Sequence, residues 1–202
     1  MKLISLSYKI THNFPSYPGD YPLSLAAEKT HDKDGYHLSI LKQSLHTGTH
    51  IDLPNHMIKS HKTFEDYPLT RFINQAVLIE NHPEECDKII ENHMVFIKTN
   101  HVDLTHKDYF DSYPEIHEKI IETCIKKNVP ILGIDTPSPD YAPFNTHKRL
   151  FEADILIIEN LNNLSLLPKH QPFKVYAIPL NLDAEASPIQ VVVEINDLYK
   201  KN

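Results

Sequence analysis

Residues 46–56 read His-Thr-Gly-Thr-His-Ile-Asp-Leu-Pro-Asn-His, which places three histidines and one aspartate within eleven residues. β-Branched residues alternate with the polar ones, and one glycine and one proline in the segment disfavour a helix. We therefore predict a strand. Side chains alternate between the two faces of a strand, so His46, Gly48, His50 and Asp52 are expected on one face.

Two imidazoles and one carboxylate on one strand face form a ligand set for zinc or a similar divalent ion. His46, His50 and Asp52 are therefore candidate metal ligands. Gly48 leaves room for an ion or a substrate, and the turn expected at the proline could return His56 to the same place. The alternative is a chance cluster, because the chain has 14 histidines and single histidines are often structural. The aspartate on the same face favours the metal site.

The composition predicts one globular domain spanning residues 1–202, because 41% of the residues are hydrophobic. No apolar run approaches the roughly 20 residues that cross a bilayer, so we expect no membrane partner. A formal net charge of −7 without any basic run argues against nucleic acid. Two cysteines without a CxxC spacing predict a reducing compartment, and we expect a cytoplasmic protein.

The apolar pattern predicts strands followed by alternating strands and helices. Strands are expected at 2–8, within 36–45, and at 75–80, 94–98, 130–134, 154–159, 173–180 and 189–195. Helices are expected at Pro83–Asn92 and Pro114–Asn128, which begin with proline and early acidic residues, and a short one near Asn145. The second helix carries an apolar stripe typical of core packing. This is the α/β class with a mixed sheet.

Two residues farther along the chain are candidates for a second ligand group. His147 lies at the start of the predicted short helix, and Glu159 ends an apolar strand, a common active-site position in α/β sheets. Each also has a structural alternative, namely a surface histidine at a helix end and a solvated glutamate at a strand end.

The segment 46–56 resembles the HxGTHxDxPxH signature of the Putative cyclase family of metal-dependent hydrolases. Bacterial kynurenine formamidases are its best-known members, and isatin hydrolases and some lactone hydrolases are relatives. Further resemblances follow in order along the chain: Tyr17-Pro18-Gly19-Asp20 to a WPGD segment, residues 133–138 to GxDTxS, and His147 with Glu159-Asn160-Leu161 to a late histidine and an ENL motif. The formamidases have tryptophan where this chain has Tyr17, and the chain contains no tryptophan.

The resemblance implies two divalent metal ions, with zinc favoured and manganese possible. His46, His50 and Asp52 would hold one ion. Asp52 would bridge to a second ion bound by His147, and Glu159 would bridge as well.

The resemblance also implies a swivelling β/β/α fold in a homo-oligomer, either a dimer or a tetramer. His56 would be the general acid/base, and Tyr17 would contact an aromatic substrate. Asp135 is expected either to orient a ligand histidine or to form a turn.

The function that we expect from these residues is that of an arylformamidase-like, metal-dependent amidohydrolase of a small molecule. The resemblance implies that it converts N-formylkynurenine to kynurenine and formate. Bound zinc would make hydroxide available for this hydrolysis, because it lowers the pKa of its water to about 7. His56, with an ordinary pKa of about 6.5, would carry the proton to the amine. The alternatives are an isatin-type or lactone hydrolase of the same family and, more remotely, a catalytically silent relative.

Overall fold

The structure, a computed structural model, describes residues 1–195. Within these residues the strands are β1 (Lys2–Ser5), β2 (Ser24–Lys29), β3 (Leu38–Lys42), β4 (His50–Asp52), β5 (Ile73–Glu80), β6 (Met94–Lys98), β7 (Ile131–Ile134), β8 (Leu156–Glu159), β9 (Phe173–Tyr176), β10 (Ala186–Pro188) and β11 (Val192–Ile195). The α-helices are α1 (His31–Asp34), α2 (Glu118–Lys126) and α3 (Asn145–Glu152). Short 3-10 helices cover Pro54–His56, Phe64–Asp66, Leu69–Arg71, Pro83–Lys88 and Leu164–Leu166.

Nine of these strands form one mixed sheet in the order β1-β11-β9-β5-β6-β7-β8-β4-β10, and β2 pairs with β3 in a separate hairpin. Strands β5 to β8 run parallel to one another, and the remaining neighbours are antiparallel. The protein is a single α/β domain with a large curled sheet and few helices, as the sequence predicts. No helix within residues 1–195 is long and apolar enough to cross a membrane.

The two faces of the central sheet are both buried, which explains the almost uninterrupted apolar character of its parallel strands. Along β6, Met94 and Phe96 join the hydrophobic cluster on one face, whereas Val95 and Ile97 join the cluster on the other. The second cluster also takes up the predicted stripe of α2, of which Ile120, Ile121 and Cys124 are buried.

Several predicted elements are shorter in the structure. The helix predicted at Pro83–Asn92 is a 3-10 helix that ends at Lys88, because Ile89 adopts an extended conformation and packs into the core. The helix predicted at Pro114–Asn128 begins only at Glu118, because the residues before it are extended and the Ile116 amide donates to the Pro139 carbonyl.

The strand predicted from His46 onwards begins only at His50. Residues 44–47 form a turn in which the Thr47 amide donates to the Ser44 carbonyl at 3.1 Å, and the chain then bends at Gly48, which has a φ of +72°. A Cβ atom at Gly48 would lie 2.8 Å from Ile10 Cδ1, so a side chain at this position would require the end of Ile10 to shift. His46 therefore reaches the site from a turn rather than from the strand face.

Candidate metal centre and active site

The pairing of β4 with β8 brings the first two candidate ligands together. His50 stands directly opposite Glu159 in the antiparallel register, and its Nε2 lies 3.4 Å from Glu159 Oε2. The same nitrogen lies 3.4 Å from Asp52 Oδ1. His50, Asp52 and Glu159 are all buried, so the alternative of a solvated Glu159 is wrong.

His46 and His56 approach Asp52 from the other side. His46 Nδ1 lies 3.0 Å from Asp52 Oδ1. The 3-10 helix at Pro54–His56 turns the chain as predicted, and the ring centroids of His46 and His56 are 4.2 Å apart. The proline-induced turn thus returns His56 to the strand that precedes it.

His147 joins the cluster from the first turn of α3. It shares the buried face of this helix with Leu150 and Phe151, which follow at the i+3 and i+4 positions of one helix face. Its Nε2 lies 3.2 Å from Glu159 Oε1. His147 is only 2% exposed, so the alternative of a surface histidine is wrong.

Two groups of side chains offer metal-ligand atoms within 4.8 Å of one another: His46, Asp52 and His56 in the first group, and His50, Asp52 and Glu159 in the second. Asp52 belongs to both groups. His46 and His50 belong to different groups, which departs from the implied arrangement in which both histidines hold one ion.

The buried polar atoms of this cluster fit a divalent ion. His50 Nε2 and both carboxylate oxygens of Asp52 are buried without a hydrogen-bond partner in the part of the chain that the structure describes. Leaving such atoms unsatisfied costs free energy, and a cation between them would remove this cost. Imidazole nitrogens and carboxylate oxygens are ligands that suit zinc.

Charge coupling between these side chains is strong. Burial alone would raise the pKa of Asp52, but His50 and His46 hold this pKa well below its usual range. Burial opposes protonation of His50 and His46, yet Asp52 raises the pKa of both, and Glu159 contributes at His50. These carboxylates therefore favour positive charge on the two imidazoles, and a bound cation would compete with their protons.

The other two histidines differ in their surroundings. Burial lowers the pKa of His56, which favours the neutral imidazole. Burial also acts to lower the pKa of His147, but hydrogen bonds to Asp140 and Glu159 outweigh it and raise this pKa to about 9.

His46 and His50, which both point one nitrogen to Asp52, each have a partner for the other nitrogen. His50 Nδ1 lies 2.9 Å from the Gly48 carbonyl oxygen, to which Asn160 Nδ2 also donates at 2.9 Å. His46 Nε2 lies 3.3 Å from Glu185 Oε1. Such contacts fix the orientation of metal-binding imidazoles.

His147 has a partner that the sequence analysis missed. Its Nδ1 lies 2.6 Å from Asp140 Oδ1, whereas Asp135, the aspartate proposed for such a role, accepts hydrogen bonds from the backbone amide and hydroxyl of Thr99. Asp135 therefore orients no histidine in the structure. Glu185 was missed as well, and no local motif marks it, because it lies 139 positions from His46 along the chain.

A cavity opens onto these ligands. Its described lining consists of Pro15, Tyr17, Asp20, His46, Gly48, His56, Met57, Leu104, Phe110, Pro137, Ser138, Phe144, His147, Glu159 and Asn160. Tyr17 precedes a tight turn in which the Asp20 amide donates to its carbonyl at 3.0 Å and Gly19 has a φ of +96°. The Tyr17 ring contacts Phe110 edge to face, with centroids 5.6 Å apart. The cavity thus combines an aromatic wall with the imidazole and carboxylate cluster.

The chain is similar to several known proteins. Residues 4–141 match the family model described as Putative cyclase. A kynurenine formamidase of Bacillus cereus is 26% identical over 206 residues, covering 94% of this chain and 96% of that protein. Among solved structures, isatin hydrolase A from Labrenzia aggregata has a TM-score of 0.81 at 20% identity and covers 95% of this chain and 93% of its own. A potential metal-dependent hydrolase with cyclase activity has a TM-score of 0.76 at 26% identity and covers 95% and 96%, respectively.

The fold and these relatives define a hydrolase, and the metal-dependent relative together with the two donor groups indicates a metal site. The chain belongs to the Putative cyclase family, because that family model matches more than half of it.

Proposed function

We propose that this protein is a metal-dependent amidohydrolase of the arylformamidase type, which converts N-formylkynurenine to kynurenine and formate. The observation that carries the proposal is a cavity in which the aromatic pair of Tyr17 and Phe110 stands beside the His56, His147 and Glu159 side chains. A formyl group is small enough to enter the polar end of this cavity while an aryl ring contacts the aromatic wall. The kynurenine formamidase relative supports the same reaction class.

The proposed ligand set is His46, His50, Asp52, His147 and Glu159, with Asp52 shared between two ions. When bound, divalent ions supply Lewis acidity that polarises a carbonyl and lowers the pKa of water. The chain fixes the ligands from β4, β8, α3 and the turn at 44–47, so that little reorganisation is needed at the moment of reaction.

We assign proton transfer to His56. It lines the cavity beside His46 and His147, and burial lowers its pKa, which favours the neutral form that can accept a proton. The aryl amine that leaves is a poor anion and requires a proton, which the same imidazole can return. His56 also belongs to the first donor group, so a ligand role is the competing assignment.

The number and identity of the ions and the assembly of the chain are part of the proposal. We propose two ions per chain with zinc favoured, because histidine and carboxylate ligands suit it. We also retain the prediction of a homo-oligomer, which size-exclusion chromatography with light scattering would test.

An isatin-type or lactone hydrolase is the second candidate, and one observation favours it. Among the described residues that line the cavity none is lysine or arginine, and Asp20 adds a carboxylate. The amino-acid carboxylate of N-formylkynurenine therefore has no basic partner there, whereas isatin and simple lactones are neutral.

The deciding experiment is turnover of N-formylkynurenine by the zinc-loaded protein, with isatin and a simple lactone measured beside it. We expect the highest kcat/KM for N-formylkynurenine. A higher value for isatin or the lactone would replace the first candidate with the second. Metal binding without turnover of any of the three would favour the catalytically silent relative.

A further inference from the structure

Asp140 is a buried carboxylate that divides its two oxygens between two partners. It is 2% exposed. Its Oδ1 lies 2.6 Å from His147 Nδ1, and its Oδ2 accepts the backbone N–H of Thr146 at 2.7 Å. The only ion-pair partner of Asp140 among residues 1–195 is His147.

This contact determines where His147 carries its proton. A carboxylate can only accept hydrogen bonds, so His147 Nδ1 must donate to it. The other ring nitrogen, Nε2, points to Glu159 Oε1 at 3.2 Å, on the side of the metal-ligand cluster. A neutral imidazole binds a cation through its unprotonated nitrogen, and the hydrogen bond of the other nitrogen selects which one that is.

We propose that Asp140 is a positioning residue that holds His147 in the tautomer whose Nε2 can bind a divalent ion. The inference rests on the proposed metal site, but it concerns metal affinity rather than the substrate. It differs from a purely structural role, in which Asp140 would only satisfy the Thr146 amide at the start of α3.

Asp135 provides a matched comparison. It is a half-buried aspartate in the same connection between β7 and α3, but its oxygens accept from the Thr99 amide and hydroxyl. No histidine is among its hydrogen-bond partners in the described chain. Replacing Asp135 therefore disturbs a hydrogen-bonded carboxylate of this connection without changing the His147 tautomer.

The isosteric variant Asp140→Asn separates the two roles of Asp140. Its amide oxygen can still accept the Thr146 N–H, so the amide NH2 group must face His147 Nδ1. That nitrogen then has to accept, and the ring proton moves to Nε2, which can no longer bind a cation. We expect zinc affinity, measured by competition with a chelator of known Kd, to fall by about 10- to 100-fold. Asp135→Asn should keep the wild-type affinity.

A conservative rescue sharpens the test. Asp140→Glu keeps a carboxylate and should bind zinc more tightly than Asp140→Asn, whereas a role in packing alone predicts that the larger glutamate binds more weakly. The proposal is overturned if the zinc affinity of Asp140→Asn is less than about tenfold below that of Asp135→Asn, or if Asp140→Glu binds zinc more weakly than Asp140→Asn.

If Asp140→Asn does not stay folded in thermal melts, Asp140→Glu and Asp140→Ala are compared instead, and equal zinc affinities for these two variants overturn the proposal. No substrate enters this experiment, so failure of the formamidase proposal would leave its result unaffected.

Discussion

His50 Nε2 on β4 lies 3.4 Å from Glu159 Oε2 on β8, because the two residues stand opposite each other in the antiparallel register. A slip of this pairing by one residue would direct one of the two side chains to the other face of the sheet. The candidate metal site therefore exists only when β4 and β8 are paired correctly. Metal binding and the stability of this sheet region are expected to be coupled.

The first prediction concerns metal content. Purified protein that was never exposed to a chelator should contain two divalent ions per chain, mainly zinc, because Asp52 is shared by two donor groups. Removal of the metal should lower Tm, since His50 Nε2 and the Asp52 oxygens would then be buried without partners. Elemental analysis and thermal melts before and after chelation measure both effects. Absence of tightly bound metal contradicts the prediction, and a single ion contradicts only its binuclear part.

The second prediction separates a ligand from a proton carrier. Asp52→Ala should lose both metal and activity. His56→Ala should retain the metal and lose about 10²- to 10⁴-fold in kcat, the usual contribution of a general acid/base. His61→Ala is the control, because His61 is exposed and does not line the cavity.

Metal content and kcat of the three variants decide the assignment. If His56→Ala loses metal as Asp52→Ala does, His56 is a ligand in the group that it forms with His46 and Asp52, and the proton carrier has to be sought elsewhere.

The alternation of side chains along a strand and the turn expected at a proline predict part of the site from the sequence. His50 and Asp52 share one strand, so period-two alternation was sufficient to place them together. Pro54 correctly predicted the turn that returns His56. His46 shows the limit of the alternation pattern, because it contacts Asp52 from the turn at residues 44–47 and not from the strand.

Local sequence patterns do not predict the contacts between residues that lie far apart in the chain. The pairing of His50 with Glu159 joins strands far apart in the chain, and nothing local specifies their register. The connection after β7 contains two aspartates, Asp135 and Asp140, and the sequence motifs drew attention only to Asp135, either as a partner of a histidine or as a turn residue. The backbone path between the two aspartates determines which of them contacts His147. The Ser138 hydroxyl donates to the Asp140 carbonyl at 2.7 Å and so contributes to placing Asp140 beside His147.

The third prediction tests the turn that precedes β4. Gly48→Ala should destabilise the fold for two reasons: the left-handed conformation costs about 1–2 kcal/mol for a residue with a Cβ atom, and the added atom would lie 2.8 Å from Ile10 Cδ1. Gly35→Ala is the matched control, because Gly35 has a φ of +79° but no atom within 4 Å of the added Cβ. We expect Gly48→Ala to lose about 0.5–1.5 kcal/mol more than Gly35→Ala in urea unfolding, the cost of displacing the Ile10 side chain.

Gly48→Ala should also weaken zinc binding, because the Gly48 carbonyl fixes His50 through Nδ1. Equal losses of stability for the two alanine variants would show that the contact with Ile10 adds nothing.

The fourth prediction concerns the substrate. Tyr17 lines the cavity, and its ring packs edge to face against Phe110, so an aryl substrate should contact it in both the ground state and the transition state. Such uniform binding affects KM rather than kcat. Tyr17→Trp should therefore shift the KM for N-formylkynurenine with little change in kcat. Tyr17→Ala should raise KM about two- to tenfold, because an aromatic contact is worth about 0.5–1.5 kcal/mol beyond area burial.

Tyr21→Ala is the matched control for this measurement, since Tyr21 is 59% exposed and is not part of the described cavity lining. Steady-state kinetics of the zinc-loaded variants with N-formylkynurenine, isatin and a lactone give KM and kcat separately. If Tyr17→Ala behaves like Tyr21→Ala with every aryl substrate, the aromatic wall does not bind the substrate. If, in addition, the wild-type protein ignores N-formylkynurenine but opens isatin or the lactone, the isatin-type or lactone hydrolase replaces the formamidase, because the cavity would then select a neutral ring at its metal-facing end.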